Sequence, residues 1–535
     1  TASPESEIQG VKIDAQSQVH LDATQTLVAE VDRRHDGHRL VIVDQPIHTT
    51  IRGLHFTEQD PPRRQDQREV NECHPLAADL LNPDAMICFI NKVYQRYYDE
   101  FAEYFGTTIQ AIFTDEPSLL GKHDRPPGWI VRPGTRDALI HINRFLQYDF
   151  TPYLPTLWDD QEPEAEKYRA DYNRAIKARL EETYYEPISA WCRKHDVKLT
   201  GHPDASDDIG ILRHFDLPGQ DLVLRYVEPG KVTALEGGHS TMGKCASSAM
   251  VHLGAKRNSN EFAGAYGHQL TFAEYRWLAL WLLIRGCNLL IPHAFYYSVR
   301  GPRIDERPRD VGLHSPWWGN YARFSDLTGK ICWLNTESQQ VCGTAILGLS
   351  DFLPWEAAKV CFQHQHDFNY LTIEDLLKRV EQAEDGLRIA GMTYRLLIVE
   401  SVVMDQLSEE ERNLIADIEA QGRVLWWKGS EETDDFLEHL RYMDPTPFVF
   451  TPSSLDLRIR YVYKGSIAYL LLFNEGEGEI RTRLSLEDSS LVGNGVLINM
   501  DTGEEEPWHS NTSLHLSPHG CAVLRLPIAT HLGRV

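Results

Sequence analysis

The sequence predicts an α/β protein with a (β/α) barrel, a smaller doubly wound α/β domain and a C-terminal β-sandwich. Three observations support this. Strand-like and helix-like segments alternate from residue 82 to about 325, a second alternating stretch starts near residue 341, and apolar residues return to a period of two near residue 448. A chain of 535 residues is long enough for two to four domains. We place the boundaries at residues 1–325, 326–440 and 441–535.

The first predicted domain begins with a β-hairpin insertion near residues 1–60, where "VKIDAQSQVHLD" and "HRLVIVDQPI" flank the polar turn "RRHDGH". A helix follows, with Asn82 as its cap, Pro83 at its first position and Gly106 as its stop. The alternation continues with the strand "IQAIFTDEP", a long helix over residues 165–195, the strands "VKLTGHPD" and "LVLRYVEPG", the helix "TFAEYRWLALWLLIRG" and the strand "NLLIPHAFYYS". This order is typical of a parallel barrel.

The second domain reads as strands "VCGTAILGL", "YRLLIVES" and "RVLWW" separated by helical segments, without the glycine-rich turn that binds phosphate. The third is predicted from short strands such as "LDLRIRYVYKGSIAYLLLFNEG" and "HGCAVLRL" between glycine turns.

The net charge excludes some classes of binding partner, and the cysteine content indicates the compartment. A net charge of −25 argues against nucleic acid and against an anionic membrane surface, because both would be repelled. Nine scattered cysteines without a C-x-x-C pair favour free thiols in a reducing compartment, so we expect a cytoplasmic protein. The sequence shows no spacing typical of metal ligands, and no cofactor is predicted. A calcium ion bound by scattered carboxylates stays an alternative.

Polar residues at predicted strand ends are the candidate site, because a parallel barrel carries its catalytic groups there. The candidates are Asp115, Glu116, His202, Asp204, Glu228, Asn258, Asn260, Glu261, His293, Tyr296 and Tyr297. Glycoside cleavage needs two carboxyl groups on either side of one bond. Glu116 and Glu261 are the predicted pair.

The two glutamates have different surroundings. Glu116 follows an apolar run and precedes Pro117, where a carboxyl group can keep its proton. Glu261 follows Asn258 and Asn260, whose amides suit a carboxylate or a sugar hydroxyl. The alternative for Glu116 is a helix cap or a solvated corner.

The other candidates are assigned to substrate binding, each with an open alternative. His202 either orients a carboxylate or is structural, and Asp115 is a supporting residue. Glu228 either binds substrate or pairs with Arg225. Tyr296 and Tyr297 are candidate platforms for stacking against a sugar ring.

"AIFTDEPSLLG", "TGHPDAS", "RNSNEFAGAYG" and "IPHAFYYSVRGPR" resemble motifs of clan A glycoside hydrolases. The domain order is similar to that of the family 42 β-galactosidases and related trimeric β-glycosidases. The resemblance implies that Glu116 is the acid/base after the fourth barrel strand and that Glu261 is the nucleophile after the seventh. It also implies an amidotransferase-like second domain and a homo-oligomer, in particular a trimer.

Counting from "FTDEP" as strand four, "NLLIPHA" becomes strand eight of a (β/α)8 TIM barrel. Residues 1–110 offer no three complete βα units, so we expect that the first strands lie upstream of this numbering. Asp115 also departs from the clan, which has an asparagine before its acid/base.

The expected function is that of a retaining, exo-acting, β-galactosidase-like glycoside hydrolase that removes terminal sugars from oligosaccharides or glycosides. Two alternatives stay open: an inverting α-L-rhamnosidase-like hydrolase and a non-catalytic carbohydrate-binding protein. The sequence leaves the sugar and its linkage open.

Overall fold

The structure is a computed structural model that describes residues 12–13, 19–21, 25–44, 78–120, 131–300, 309–487, 491 and 493–528. Residues 45–77 lie outside the described residues. The chain forms two compact units, one of residues 1–111 and 117–197 and the other of residues 112–116 and 198–535.

The first unit combines short antiparallel strands with helices. Its strands are β1 (Lys12–Ile13), β2 (Val19–His20), β3 (Thr26–Asp32) and β4 (Arg39–Asp44). Its helices are α1 (Pro83–Lys92), α2 (Tyr94–Phe101), α3 (Ala138–Leu146), α4 (Ala165–Leu180) and α5 (Glu186–Lys194). A π-helical turn at Glu181–Tyr185 joins α4 to α5, which confirms the long helix predicted over residues 165–195.

Local signals account for these elements. The Asn82 side chain accepts a hydrogen bond of 3.0 Å from the Asp84 N–H and Pro83 occupies the first turn of α1, as predicted. The strands β3 and β4 form an antiparallel hairpin across the predicted polar turn. Aromatic and aliphatic side chains of α3, α4 and the segment between them, including Phe150, Tyr172 and Ile176, form the core of this unit.

The second unit begins with five strands that carry the candidate site. They are β5 (Ala111–Asp115), β6 (Lys198–His202), β7 (Gly219–Val223), β8 (Ser259–Gly264) and β9 (Leu289–Pro292). The pairs β5–β6, β7–β8 and β8–β9 are hydrogen-bonded, and a parallel bridge between Thr200 and Leu217 connects the two sheets. Helices α6 (Met242–Leu253) and α7 (Phe272–Ile284) link β7 to β8 and β8 to β9. These crossovers are why the strands run parallel.

The helix after β8 is well defined by its sequence. Thr271 and Glu274 form a reciprocal capping box at its start. Its Trp277, Trp281 and Leu283 are completely buried in the core beneath the site strands. Helix α8 (Tyr321–Asn335) packs on α7 and adds Phe324 and Ile331 to this core.

The α/β part that follows contains a parallel sheet in the order β12–β11–β16–β17. Its strands are β10 (Gln339–Gln340), β11 (Thr344–Gly348), β12 (Asn369–Thr372), β13 (Glu381–Ala383), β14 (Gly386–Ile389), β15 (Met392–Tyr394), β16 (Leu396–Glu400) and β17 (Val424–Trp427). Of these, β10 pairs with the C-terminal sheet and β13–β15 form a separate antiparallel sheet that the sequence did not predict. The helices are α9 (Glu356–Gln363), α10 (Ile373–Lys378), α11 (Ser401–Met404), α12 (Glu409–Ala420) and α13 (Thr433–Met443).

The C-terminal part consists of antiparallel strands. Its strands are β18 (Phe448–Thr451), β19 (Leu457–Lys464), β20 (Ile467–Asn474), β21 (Ile480–Leu486), β22 (Asn494–Asn499), β23 (Glu505–His509), β24 (Ser513–Leu516) and β25 (Cys521–Pro527). The sheet β10–β19–β20–β25–β22–β23 and the sheet β18–β21–β24 enclose one core, with Leu470, Leu484 and Leu524 fully buried.

A buried ion triad joins the sandwich to α7. The Glu475 Oε2 atom lies 3.1 Å from Arg285 Nη1 and 3.2 Å from Arg458 Nε, and all three side chains are at most 5% exposed. The Arg285 guanidinium also lies over the Trp281 ring at 3.9 Å. Glu475 therefore offers one negative charge to two buried guanidinium groups.

The fold is mixed α/β. One predicted boundary in the site region is wrong: "LVLRYVEPG" is not a continuous strand, because β7 ends at Val223. Leu224 and Arg225 have φ values of 56° and 57°, so the chain leaves the extended conformation there. Among the described residues, no helix has both the length and the apolar character needed to span a membrane.

Candidate active site

Three predicted residues meet where β5, β6 and β8 lie near one another. Asp115 and His202 are the last residues of β5 and β6, and Glu261 lies inside β8. The His202 Nε2 atom is 3.3 Å from Glu261 Oε2 and 3.7 Å from Asp115 Oδ1. The sequence prediction thus identified residues that the fold brings together.

His202 is built to carry a positive charge. Its side chain is 1% exposed. Its Nδ1 atom lies 3.3 Å from the Pro203 carbonyl oxygen, while Nε2 faces carboxylates. Because both ring nitrogens face acceptors, both are suited to donate, which is the imidazolium form.

The charges around His202 agree with this form. Burial lowers the pKa of the imidazole, but the hydrogen bond with Glu261 and the charges of Asp221, Glu261 and Asp115 outweigh burial and raise the pKa to about 9. His202 is therefore expected to be protonated at neutral pH and to favour the ionised form of the carboxylates that face it.

Asp221 is a site residue that the sequence reasoning missed. In the parallel pair β7–β8, Asp221 is the register partner of Glu261, so the two side chains project from the same face. A carboxylate oxygen of Asp221, one of Glu116 and a ring nitrogen of His202 all lie within 4.8 Å of one another. Burial raises the pKa of the Asp221 carboxyl well above its usual range, and neighbouring carboxylates raise it further.

Glu116 follows β5 directly and is 8% exposed. Its φ of 38° lies in the left-handed region, which non-glycine residues seldom adopt. Such a conformation costs of order 1–3 kcal/mol and is maintained only where the surrounding structure enforces it, commonly at functional sites. The strand end therefore fixes the direction in which Glu116 points.

A bulge follows Glu261 in β8. The register shifts between Leu222 and Val223 on β7, so that Ala263 on β8 is skipped, and Ala263 has a φ of 67°. Bulges of this kind turn a side chain relative to the sheet and are frequent beside active sites. The irregularity occurs within two residues of the predicted nucleophile.

Asn258 and Asn260 are not brought to this site. Side chains alternate along a strand, so Asn260 points to the face opposite Glu261. The Asn258 amide donates to the Gly286 carbonyl at 2.9 Å, and the Asn260 amide donates to Asn258 Oδ1 at 2.8 Å. Both side chains are at most 1% exposed, and their hydrogen bonds connect the start of β8 to its surroundings.

The remaining five candidates are not among the groups gathered around His202. Glu228 forms an ion pair of 2.8 Å with Arg225, which was the alternative considered from the sequence. Asp204 is exposed. His293 lies beside Gly264, and its buried Nδ1 atom has no hydrogen-bond partner among the described residues. Tyr296 packs edge-on against His293, whereas Tyr297 is 98% exposed.

Two overlapping sets have the spacing of metal ligands: Asp115, His202 and Glu261, and Glu116, His202 and Asp221. Both depend on His202. Either set could bind a cation only with His202 neutral, because a protonated imidazole has no lone pair to offer.

Comparison with known proteins supports the fold. Neither a protein-family model nor a curated protein sequence matches the chain. Among solved structures, a rhamnosidase from Novosphingobium sp. PP1Y superposes with a TM-score of 0.62 at 16% identity, covering 86% of this chain and 49% of that protein. The chain shares the fold of about half of that enzyme.

Two β-galactosidases match with more than 80% of each chain covered, and a third matches with a lower TM-score. The enzyme from Rahnella sp. R3 superposes with a TM-score of 0.55 at 9% identity. The match covers 84% of this chain and 82% of the Rahnella chain. The enzyme from Bacillus circulans sp. alkalophilus has a TM-score of 0.54 at 10% identity, with 83% of each chain covered. A GH42 β-galactosidase from G. stearothermophilus has a TM-score of 0.50. The chain thus spans half of the rhamnosidase and most of these two β-galactosidases.

Proposed function

We propose that the chain is a glycoside hydrolase that removes terminal sugars from oligosaccharides or glycosides by a retaining mechanism, in the manner of β-galactosidases. The observation that carries the proposal is the pair Glu116 and Glu261 on two strands that both adjoin His202, in a fold that β-galactosidases share. Two carboxyl groups with different surroundings are what glycosidic cleavage requires.

The roles follow from those surroundings. Glu261, hydrogen-bonded to the His202 imidazolium, is suited to remain ionised and to attack the anomeric carbon. Glu116 donates its proton to the leaving oxygen, and the bond from the anomeric carbon to that oxygen breaks as the bond to Glu261 forms. Glu116 then removes a proton from water, whose oxygen bonds to the anomeric carbon as the bond to Glu261 breaks, and the sugar is released. The retaining mechanism requires a carboxyl separation of roughly 5–5.5 Å.

Several features of the assembly belong to the same proposal. β5 to β9 are proposed as strands four to eight of a (β/α)8 barrel, and the parallel sheet over β11, β12, β16 and β17 as an amidotransferase-like domain. The proposed location is cytoplasmic, and the proposed assembly is a homo-oligomer, in particular a trimer. Asp115 and His293 are proposed to bind sugar hydroxyls: Asp115 ends β5 next to His202, and His293 follows β9 directly with a buried ring nitrogen that has no hydrogen-bond partner among the described residues.

A second candidate is an inverting α-L-rhamnosidase-like hydrolase. The observation that favours it is the TM-score of 0.62 with the rhamnosidase, over 86% of this chain. In that mechanism Glu261 would activate a water molecule, and the carboxyl groups would stand roughly 6.5–9.5 Å apart. Proton NMR of the first-formed product distinguishes the two, because retention and inversion release opposite anomers.

The test is a hydrolysis screen with p-nitrophenyl glycosides of both anomers, including galactosides and rhamnosides. Wild-type protein should release nitrophenol from at least one substrate. Glu116→Gln and Glu261→Gln are the matched variants, because each keeps the side-chain shape and removes the ionisable group. Binding of sugars without hydrolysis by any form would instead favour the non-catalytic alternative.

A further inference from the structure

Four carboxyl groups face a single imidazole in the candidate site. Asp115 and Glu116 come from the end of β5, Asp221 from β7 and Glu261 from β8, and each has an oxygen within 4.8 Å of a nitrogen of His202. Carboxylates this close disfavour one another's ionisation, and one imidazolium balances only one of them. The site must therefore retain protons at a pH where separate carboxyl groups would have lost them.

Burial distinguishes these groups. The Asp115 side chain is 55% exposed, so water stabilises its charge. Glu261 is 13% exposed and accepts from His202 at 3.3 Å, which stabilises its ionised form directly. The Oδ1 atom of Asp221, in contrast, is excluded from solvent and has no hydrogen-bond partner among the described residues. A buried, unpaired carboxylate oxygen is the most costly of these to leave charged.

The register of β7 against β8 adds a second reason. Asp221 lies directly beside Glu261 on the neighbouring strand. Two ionised carboxylates on adjacent register positions repel each other, whereas a neutral carboxylic acid beside a carboxylate does not.

We propose that Asp221 is a positioning residue that holds a proton as a neutral carboxylic acid, so that Glu261 stays ionised beside His202. This inference rests on the proposed function for the role of Glu261. The proton on Asp221 is not transferred to substrate; the proton delivered to the leaving oxygen comes from Glu116. No bond forms at Asp221 during the reaction.

The surrounding charges agree in direction. Burial raises the pKa of Asp221 most, His202 lowers it, and Glu261, Glu116 and Asp115 raise it. Tyr266 lies in the segment after β8, and the charge of Asp221 contributes to raising the pKa of its hydroxyl. That hydroxyl donates its hydrogen bond to the Val227 carbonyl at 2.8 Å and not to the Asp221 carboxyl.

The test is infrared spectroscopy of the folded protein near pH 7, with the aspartate side-chain carboxyls labelled with carbon-13. The expected result is a protonated-carboxyl band that shifts with the label and disappears in Asp221→Asn. The spectrum of the labelled wild-type protein shows by itself whether any aspartate is protonated near pH 7, so this part of the test does not require the variant to fold. Absence of any label-sensitive protonated band near neutral pH would overturn the proposal.

Kinetics provide the second readout. Asparagine mimics a neutral acid, so Asp221→Asn should keep kcat within about tenfold of wild type and leave the acid limb of the kcat/KM profile in place. A downward shift of that limb would overturn the proposal, because it would mean that a negative charge had been removed from beside Glu261. If the band behaves as expected but no glycoside is hydrolysed, the proposed function fails and the protonation of Asp221 stands.

Discussion

Replacing His202 with asparagine tests the electrostatics of the site through stability. His202 is 1% exposed and its pKa is raised to about 9 from the ordinary histidine value of about 6.5. A shift of this size corresponds to about 3 kcal/mol. Because the folded-state pKa is the higher one, the stabilisation is fully present below about pH 6.5 and is lost as the pH rises through about 9. The free-energy difference between wild type and His202→Asn should therefore shrink by about 3 kcal/mol across that range.

The assay is urea unfolding followed by tryptophan fluorescence, at about pH 6 and about pH 9.5. His252→Asn is the matched control, because His252 is also fully buried in the second unit but its pKa is lowered to about 4. Its contribution should change by less than about 1 kcal/mol and in the opposite sense, because its folded form is neutral at both pH values and only its unfolded form, with an ordinary pKa of about 6.5, takes up protons near the lower pH. A His202→Asn difference that stayed constant, or grew with pH, would refute the imidazolium assignment.

Three other substitutions test separate parts of the account. Glu116→Gln should slow glycosides with poor leaving groups by about 10²–10⁴-fold and activated aryl glycosides much less, as read from paired rate measurements; equal losses on both would argue against its acid role. Asn258→Ala should lower the free energy of unfolding by about 1–3 kcal/mol with kcat unchanged, because its amide holds buried backbone. Glu475→Gln should cost about 3–5 kcal/mol in urea unfolding, because two buried arginines lose their counter-charge. Glu505→Gln, at an exposed ion pair, is its control and should cost less than about 1 kcal/mol.

The elements that the sequence predicted well carry local signals. The cap at Asn82 and the continuous apolar run of the helix after Thr271 are local features, and the structure has a capped helix at the first and a helix buried on nearly all sides at the second. The end of β7 was missed because Leu224 and Arg225 turn into the left-handed region, which their apolar and basic side chains do not indicate. The antiparallel sheet over β13–β15 was missed because its short strands lie between two helices of an alternating pattern.

The site was predicted only in part for a related reason. Glu261 and His202 were found because the alternating pattern placed both at predicted strand ends. Asp221 was missed because its place beside Glu261 is set by inter-strand register, which the sequence does not contain. The position of Asn260 could have been foreseen, since a residue adjacent to Glu261 in a strand must point to the other face.

The central claim is that Glu116 and Glu261 act together on a glycosidic bond. Its most direct test is the rate of nitrophenol release by wild type and by Glu261→Gln on whichever p-nitrophenyl glycoside wild type hydrolyses fastest. We expect the rate of nitrophenol release to fall by about a thousandfold or more in Glu261→Gln, while its circular dichroism spectrum stays that of the folded wild type. A variant that hydrolyses the substrate at the wild-type rate would contradict the account.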